Sequence, residues 1–163
     1  MTYQNGVMPT DEWFKKIQAH IDFNGKSVID YGCAEGRMCE LAKDAGASRV
    51  VGIDEHPVAS TRKDIEFILQ RIEGKHGFDI KIFSMIIHWI GKEEFIRQIT
   101  GIQYKTLVII FRTPSSGYIE QNGIFFPTQE ELDKLVGVKP IHTEHLMNQG
   151  EDKDIVLAIY DKA

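Results

Sequence analysis

Apolar residues recur at helical spacing after Thr10. Trp13, Phe14, Ile17 and Ile21 fall on one face behind an acidic first turn of Asp11 and Glu12, which predicts an N-terminal helix capped by Thr10. The pattern then changes. "SVIDY" (27–31) and "RVVGID" (49–54) are short apolar runs of strand type, and between them Met38, Leu41, Ala42 and Ala45 mark a helix over 36–45 that Gly46 ends. After Pro57, residues Ile65, Phe67, Ile68, Leu69 and Ile72 predict one helix running to about Glu73, broken by "GKHG" (74–77). "FDIKIFSMII" (78–87) predicts a strand, "KEEFIRQI" (92–99) a helix, and "TLVIIF" (106–111) a strand apolar enough to be covered on both faces. "PTQEELDKLV" (127–136) opens with the Thr128–Glu131 capping box of a helix. "KPIHTEHL" and "DIVLAIYD" flank a turn over 148–153 and predict a closing hairpin.

Strands alternating with helices imply an α/β fold, a doubly wound and mostly parallel sheet, to which the C-terminal hairpin adds antiparallel pairing. The whole chain, 1–163, is expected to form a single domain, with a helical segment over 1–24 and the core over 25–163. The interval between Asp54 and Phe78 is filled by its one helix, so no strand is expected there. The sheet would then have six strands, with 49–54 as an exposed edge, and such an edge predicts a homodimer formed by strand pairing.

Composition narrows the function. With 42% hydrophobic residues and a net charge of −5, the chain is ordinary for a globular protein and ill suited to living on phosphate contacts, which argues against a nucleic-acid partner. No apolar run reaches the roughly 20 residues of a membrane span. The opening "MTYQNGVMPTDEW" has neither the basic flank nor the apolar core of a secretory signal. Cys33 and Cys39 lie in a turn and on a helix, where a bridge would distort both; they are expected as free thiols in a reducing cytoplasm. Neither has a partner at metal-ligand spacing, so no metal is expected.

The candidate chemistry gathers at "DYGCAEG" (30–36). Gly32, Ala34 and Gly36 keep the turn after the first strand small enough for a ligand to approach backbone, with a helix N-terminus behind it. Asp54 closes the next strand 18 residues after Gly36, where a carboxylate accepts a ribose diol. A nicotinamide dinucleotide fits less well. The turn is Gly-x-Ala-x-Gly, and Asp30 just before it would repel a pyrophosphate but suit an ammonium group.

"VIDYGCAEG" followed by "VVGID" resembles the first two motifs of the class I S-adenosylmethionine-dependent methyltransferases. "FDIKIFSMIIHWI" resembles their fourth-strand segment, "FFPTQEELDKLV" their helix after strand five, and the closing hairpin their strands six and seven. The resemblance covers residues 25–161 and implies a Rossmann-like methyltransferase fold. It also implies methyl transfer from S-adenosyl-L-methionine to an O or N atom, leaving S-adenosyl-L-homocysteine. By the same resemblance Asp30, Gly32 and Gly36 would line the methionine pocket, with Cys33 and Ala34 offering backbone contacts. Asp54 would take the ribose, Glu55 would stand where an apolar residue often packs on the adenine, and Ser84 and Met85 would meet the reacting methyl. The adenine amino group finds no candidate partner, because the strand that precedes its usual contact is not expected.

"MIIHW" (85–89) is like the small-molecule enzymes, so a small-molecule or sugar-like acceptor is expected, and the missing Asn-Pro-Pro-aromatic motif argues against nucleic acid. The irregular segment 112–126 is the expected substrate surface, with Arg112 and Tyr118 as candidate contacts. His88 is a candidate general base, although a lone histidine more often packs or caps, and Trp89 is expected in the core or pocket wall. The alternative function is a binding or regulatory module that keeps the fold without turnover.

Overall fold

The computed structural model describes residues 10–71, 77–100, 104–114, 125–148 and 153–162. Seven strands form one sheet in the order β3-β2-β1-β4-β5-β7-β6. β1 (Ser27–Tyr31) pairs in parallel with β2 (Arg49–Asp54) on one side and β4 (Phe78–Ser84) on the other. β3 (Glu66–Leu69) continues the parallel set beyond β2, and β5 (Tyr104–Pro114) beyond β4. The closing hairpin inserts β7 (Lys153–Asp161) antiparallel to β5 and leaves β6 (His142–Asn148) outermost. This is the doubly wound sheet with an antiparallel C-terminal pair that the strand–helix alternation predicts.

Each face of the sheet is buried under helices. Trp13, Phe14 and Ile17 of α1 (Thr10–Gln18) and Met38 of α2 (Arg37–Asp44) pack with Val28, Ile80, Val108 and Leu157. On the other face Phe95 and Ile99 of α4 (Lys92–Thr100) and Leu132 of α5 (Gln129–Val136) pack with Ile29, Phe83, Leu107 and Ile109. Between β4 and α4 runs the single turn α3 (Ile87–Ile90). The N-cap half of the expected capping box is made: Thr128 Oγ1 accepts the Glu131 N–H at 3.1 Å.

The interval after Asp54 differs from expectation. There is a third strand, Glu66–Leu69, and no helix over 57–71. Residues 57–65 instead cross α2 without regular structure. The Ser60 hydroxyl donates to Glu40 Oε1 at 2.7 Å, and Arg62 bridges Asp44 and Asp64. The run Ile65–Phe67–Ile68–Leu69 is too short to distinguish strand from helix by periodicity, and pairing with β2 decides it. β2 is therefore an interior strand, which removes the basis for a homodimer along 49–54. β4 also stops at Ser84 rather than Ile87, because Met85 turns to φ 56 and the chain coils into α3.

One core residue breaks the apolar pattern. Lys81, in the middle of β4, is fully buried; its Nζ lies 3.5 Å from the Gln98 carbonyl and 5.5–5.6 Å from the ring centres of Tyr31 and Tyr104. Burial, and secondarily the charge of Lys162, pull its amine down from the usual lysine range to about 7.

Candidate functional site

The strand order reverses at β1, with β2 and β3 to one side and β4 and β5 to the other, so the carboxyl ends of β1 and β4 open on the crevice that such sheets use for ligands. The turn leaving β1 coils through three left-handed residues, Gly32 (φ 70), Ala34 (φ 49) and Gly36 (φ 86). A Cβ on Gly32 would stand 2.7 Å from the Ile86 side chain, and one on Gly36 2.9 Å from the Phe67 ring. Among the described residues two non-glycines take positive φ, Ala34 and Met85, and they lie at the ends of β1 and β4. Such strain costs on the order of 1–3 kcal/mol per residue and persists only where the surroundings impose it. Here backbone and side-chain hydrogen bonds do so. The Met85 N–H donates to the Ile110 carbonyl at 2.8 Å, and the Ala34 N–H donates to Asp54 Oδ2 at 2.8 Å.

Asp54 thus clamps the turn to the end of β2. Its other oxygen accepts the His56 N–H at 2.9 Å, while Gly32 and Cys33 both donate to the Ile53 carbonyl, at 2.8 and 3.0 Å. Each carboxylate oxygen keeps a further lone pair for a ligand hydroxyl. Gly36 is the N-cap of α2 and supplies no side-chain cap, which leaves first-turn N–H groups and the positive helix end facing the turn.

Asp30 lies beneath. It is 2% exposed, its Oδ1 has no hydrogen-bond partner among the described residues, and Oδ2 is approached only by Cys39 Sγ at 3.8 Å. Burial first, and then the charge of Asp54, push its carboxyl up to about 8. A buried acceptor without a donor costs roughly 1–3 kcal/mol, which a cationic ligand would recover. Ser84 Oγ at the end of β4 is likewise buried without a partner. Glu55 is exposed beside Asp54.

On the acceptor side, His88 is 5% exposed, its ring 5.0 Å from Trp89 and stacked at 5.7 Å on Phe126. Trp89 itself is 60% exposed, which corrects its expected place in the core: α3 is one turn long, and its second aromatic faces outward. Arg112 is partly exposed near the end of β5. Tyr118 and residues 115–124 lie outside the described residues. The sequence reading missed Gln70, which follows β3 directly; it is exposed and donates its N–H to the Asp54 carbonyl at 2.9 Å. The signal lay in "EFILQ", a short apolar run ending in an amide residue, masked by the choice of helix for that run.

An N-methyltransferase from Bradyrhizobium japonicum, solved with S-adenosyl-L-homocysteine, superposes with a TM-score of 0.70 at 13% identity, over 94% of this chain and 87% of its own. A magnesium protoporphyrin IX methyltransferase from Synechocystis with the same ligand gives 0.68 at 17% identity, over 92% and 80%. An S-adenosylmethionine-dependent methyltransferase from Mesorhizobium loti gives 0.68 at 16% identity, over 91% and 96%. The chain has the class I S-adenosylmethionine-dependent methyltransferase fold.

Among sequence relatives of this methyltransferase-fold chain, ribosomal protein L11 methyltransferase of Herpetosiphon aurantiacus is 28% identical over 100 residues, 57% of this chain and 30% of the relative. The enzyme of the same name from Klebsiella pneumoniae is 36% identical over 59 residues, 36% of this chain and 20% of the relative. The chain therefore spans less than a third of the length of these curated relatives. No family model matches it. The relatives overturn the expected small-molecule or sugar-like partner, since their names give a protein as the substrate. Among the described residues no helix is long and apolar enough to cross a membrane.

Proposed function

We propose that the chain binds S-adenosylmethionine at the ends of β1 and β2 and transfers its methyl group to an O or N atom of a protein acceptor. The observation that carries this reading is the clamped turn, in which three left-handed residues are tied to β2 through the Asp54 carboxylate. Gly32 and Gly36 give the turn the left-handed coil that would bring its backbone to the amino-acid tail, whose carboxylate suits the uncapped N-terminus of α2. Its ammonium suits the unpartnered Asp30 Oδ1, and a cation there would return that carboxyl to its charged form. Cys33 and Ala34 contribute backbone. Asp54 accepts the ribose hydroxyls, Gln70 offers its side-chain amide to the adenine amino group, and Glu55 borders the adenine. Ser84 and Met85, at the end of β4, would face the reacting carbon.

When bound, the cofactor supplies a methyl group already activated by its sulfonium. The chain's own work is then to hold the acceptor atom in line and exclude water, which is why no dedicated base is assigned. The L11 relatives favour a protein acceptor. Trp89, exposed, and Arg112, partly exposed, offer surface on that side for such a partner.

The test is calorimetry with S-adenosyl-L-homocysteine, followed by incubation with methyl-labelled cofactor and purified ribosomal proteins. Binding together with label in protein supports the reading. Binding without transfer reduces it to a cofactor-binding module, and absence of binding overturns it.

A further inference from the structure

The two cysteines, distant in secondary structure, meet in space. A Cβ placed on Gly52 would stand 2.8 Å from Cys33 Sγ and 2.9 Å from Cys39 Sγ, so the sulfurs lie side by side over the one position of β2 that has no side chain. Both are free thiols. Cys33 is 6% exposed and Cys39 fully buried, and Asp30 Oδ2 lies 3.8 Å from the latter. Cys33 belongs to the clamped turn, where its N–H donates to Ile53 and its carbonyl accepts from Gly36, while Cys39 is fixed in the first turn of α2.

We infer that Cys33 and Cys39 form a reversible disulfide under peroxide, and that this bridge switches off cofactor binding by deforming the turn. The second half rests on the cofactor reading above. In the reduced state Cys39 is a poor thiolate, held well above its usual value by its hydrogen bond with Cys33, then by burial and the charge of Asp30, so the first attack falls to the more exposed Cys33. The Cys33 thiol gives up its proton and its sulfur attacks hydrogen peroxide. An S–O bond forms, the O–O bond breaks, and the departing hydroxide leaves as water. The Cys39 sulfur then attacks the sulfenic sulfur. The S–S bond forms, the S–O bond breaks, and the Cys39 proton, passed by way of Asp30, leaves with the hydroxyl as a second water. Two thiols are oxidised, one peroxide is reduced, and a thiol reductant reverses the step.

Closing the bridge brings the sulfurs to about 2 Å. Because Cys39 is held in a helix packed against the sheet while Cys33 lies in the irregular turn tied to β2 by a few hydrogen bonds, the turn is the part that yields. Moving Cys33 carries Gly32 and Ala34 with it and pulls on the Ala34–Asp54 bond, which is the clamp itself. By reciprocity, a ligand that binds the reduced form better must oppose the oxidation by the same factor.

The experiment treats the reduced full chain with hydrogen peroxide, measures intact mass and non-reducing peptide maps, and titrates S-adenosyl-L-homocysteine before oxidation, after it, and after dithiothreitol. The expected result is loss of two hydrogens, a linked Cys33–Cys39 peptide, affinity lowered by at least about ten-fold and restored by reductant, and, in a thiol–disulfide buffer at equilibrium, a smaller bridged fraction when the ligand is present. Cys39→Ala should form no bridge and carry Cys33 on to the sulfinic acid. Oxygen addition without linked peptides in the parent chain, or a bridge that leaves affinity unchanged, would overturn the inference. Failure of the reduced chain to bind the ligand would overturn the cofactor reading and the switch drawn from it, while the bridge itself is decided by mass alone.

Discussion

The Ala34 backbone N–H and the Asp54 carboxylate are joined at 2.8 Å across twenty residues of chain. One side chain therefore does two things. It holds a strained left-handed alanine in place, and it presents its remaining lone pairs at the spot where a ribose diol would lie. Under the proposed reading folding energy and ligand recognition share the same oxygen atoms, so changes at Asp54 are expected to move both stability and affinity.

Asp54→Ala removes the side-chain acceptor of two backbone N–H groups, those of Ala34 and His56, and the proposed ribose contact. The expected outcome is S-adenosyl-L-homocysteine binding weakened more than about ten-fold, near 1.4 kcal/mol, with stability lower by about 1–3 kcal/mol. Calorimetry and urea denaturation measure the two separately. A destabilised variant with undiminished affinity would dismiss the ribose assignment while keeping the clamp.

At Gly36, φ of 86 and the Phe67 ring 2.9 Å from any Cβ act together. Gly36→Ala is expected to cost about 1–3 kcal/mol. Adding Phe67→Leu relieves the ring contact but neither the Val58 methyl at 3.0 Å nor the backbone, so it should recover only part of that loss. Full recovery in thermal melts would mean that the ring, and not the conformation, demands glycine here.

Most of this site was legible in the sequence because its parts are local. Strand, small-residue turn and helix follow one another within 27–44, and β1 and β2 occupy the stretches their apolar runs predict. Gln70 was hidden for the opposite reason. Whether Glu66–Leu69 becomes a strand depends on pairing with Val51–Asp54, a contact that no local periodicity encodes. The exposure of Trp89 and the meeting of Cys33 with Cys39 likewise depend on packing, on a helix of a single turn and on the absence of a side chain at Gly52.

Gln70 itself offers a sharp test. Being exposed, Gln70→Ala should change stability by less than about 0.5 kcal/mol. If its side-chain amide takes the adenine amino group, affinity for S-adenosyl-L-homocysteine should fall by about 1 kcal/mol, while affinity for the deaminated inosine analogue stays level. Equal losses for both ligands would place the effect elsewhere.

Lys81 predicts a pH dependence whose sign follows from its burial. Burial pulls its amine down to about 7 in the folded chain, against 10.5 for a free lysine. Between those values the unfolded chain carries the extra proton, so this residue makes stability rise with pH across that window and contributes no slope below it. Asp30, raised to about 8 in the folded chain, acts in the opposite sense between about 4 and 8, because there the folded chain holds the extra proton. The parent curve alone therefore mixes the two, and the difference between parent and Lys81→Met isolates the lysine. At pH 6.5 the variant is expected to be more stable by on the order of 1–4 kcal/mol, since an apolar side chain of similar length replaces a buried charge. That advantage should shrink steadily as pH is raised to 9.5. Urea denaturation at four pH values across this range measures it. A variant less stable than the parent at every pH would show that the Gln98 carbonyl and the Tyr31 and Tyr104 rings more than compensate the buried ammonium, and that the lysine stabilises the core.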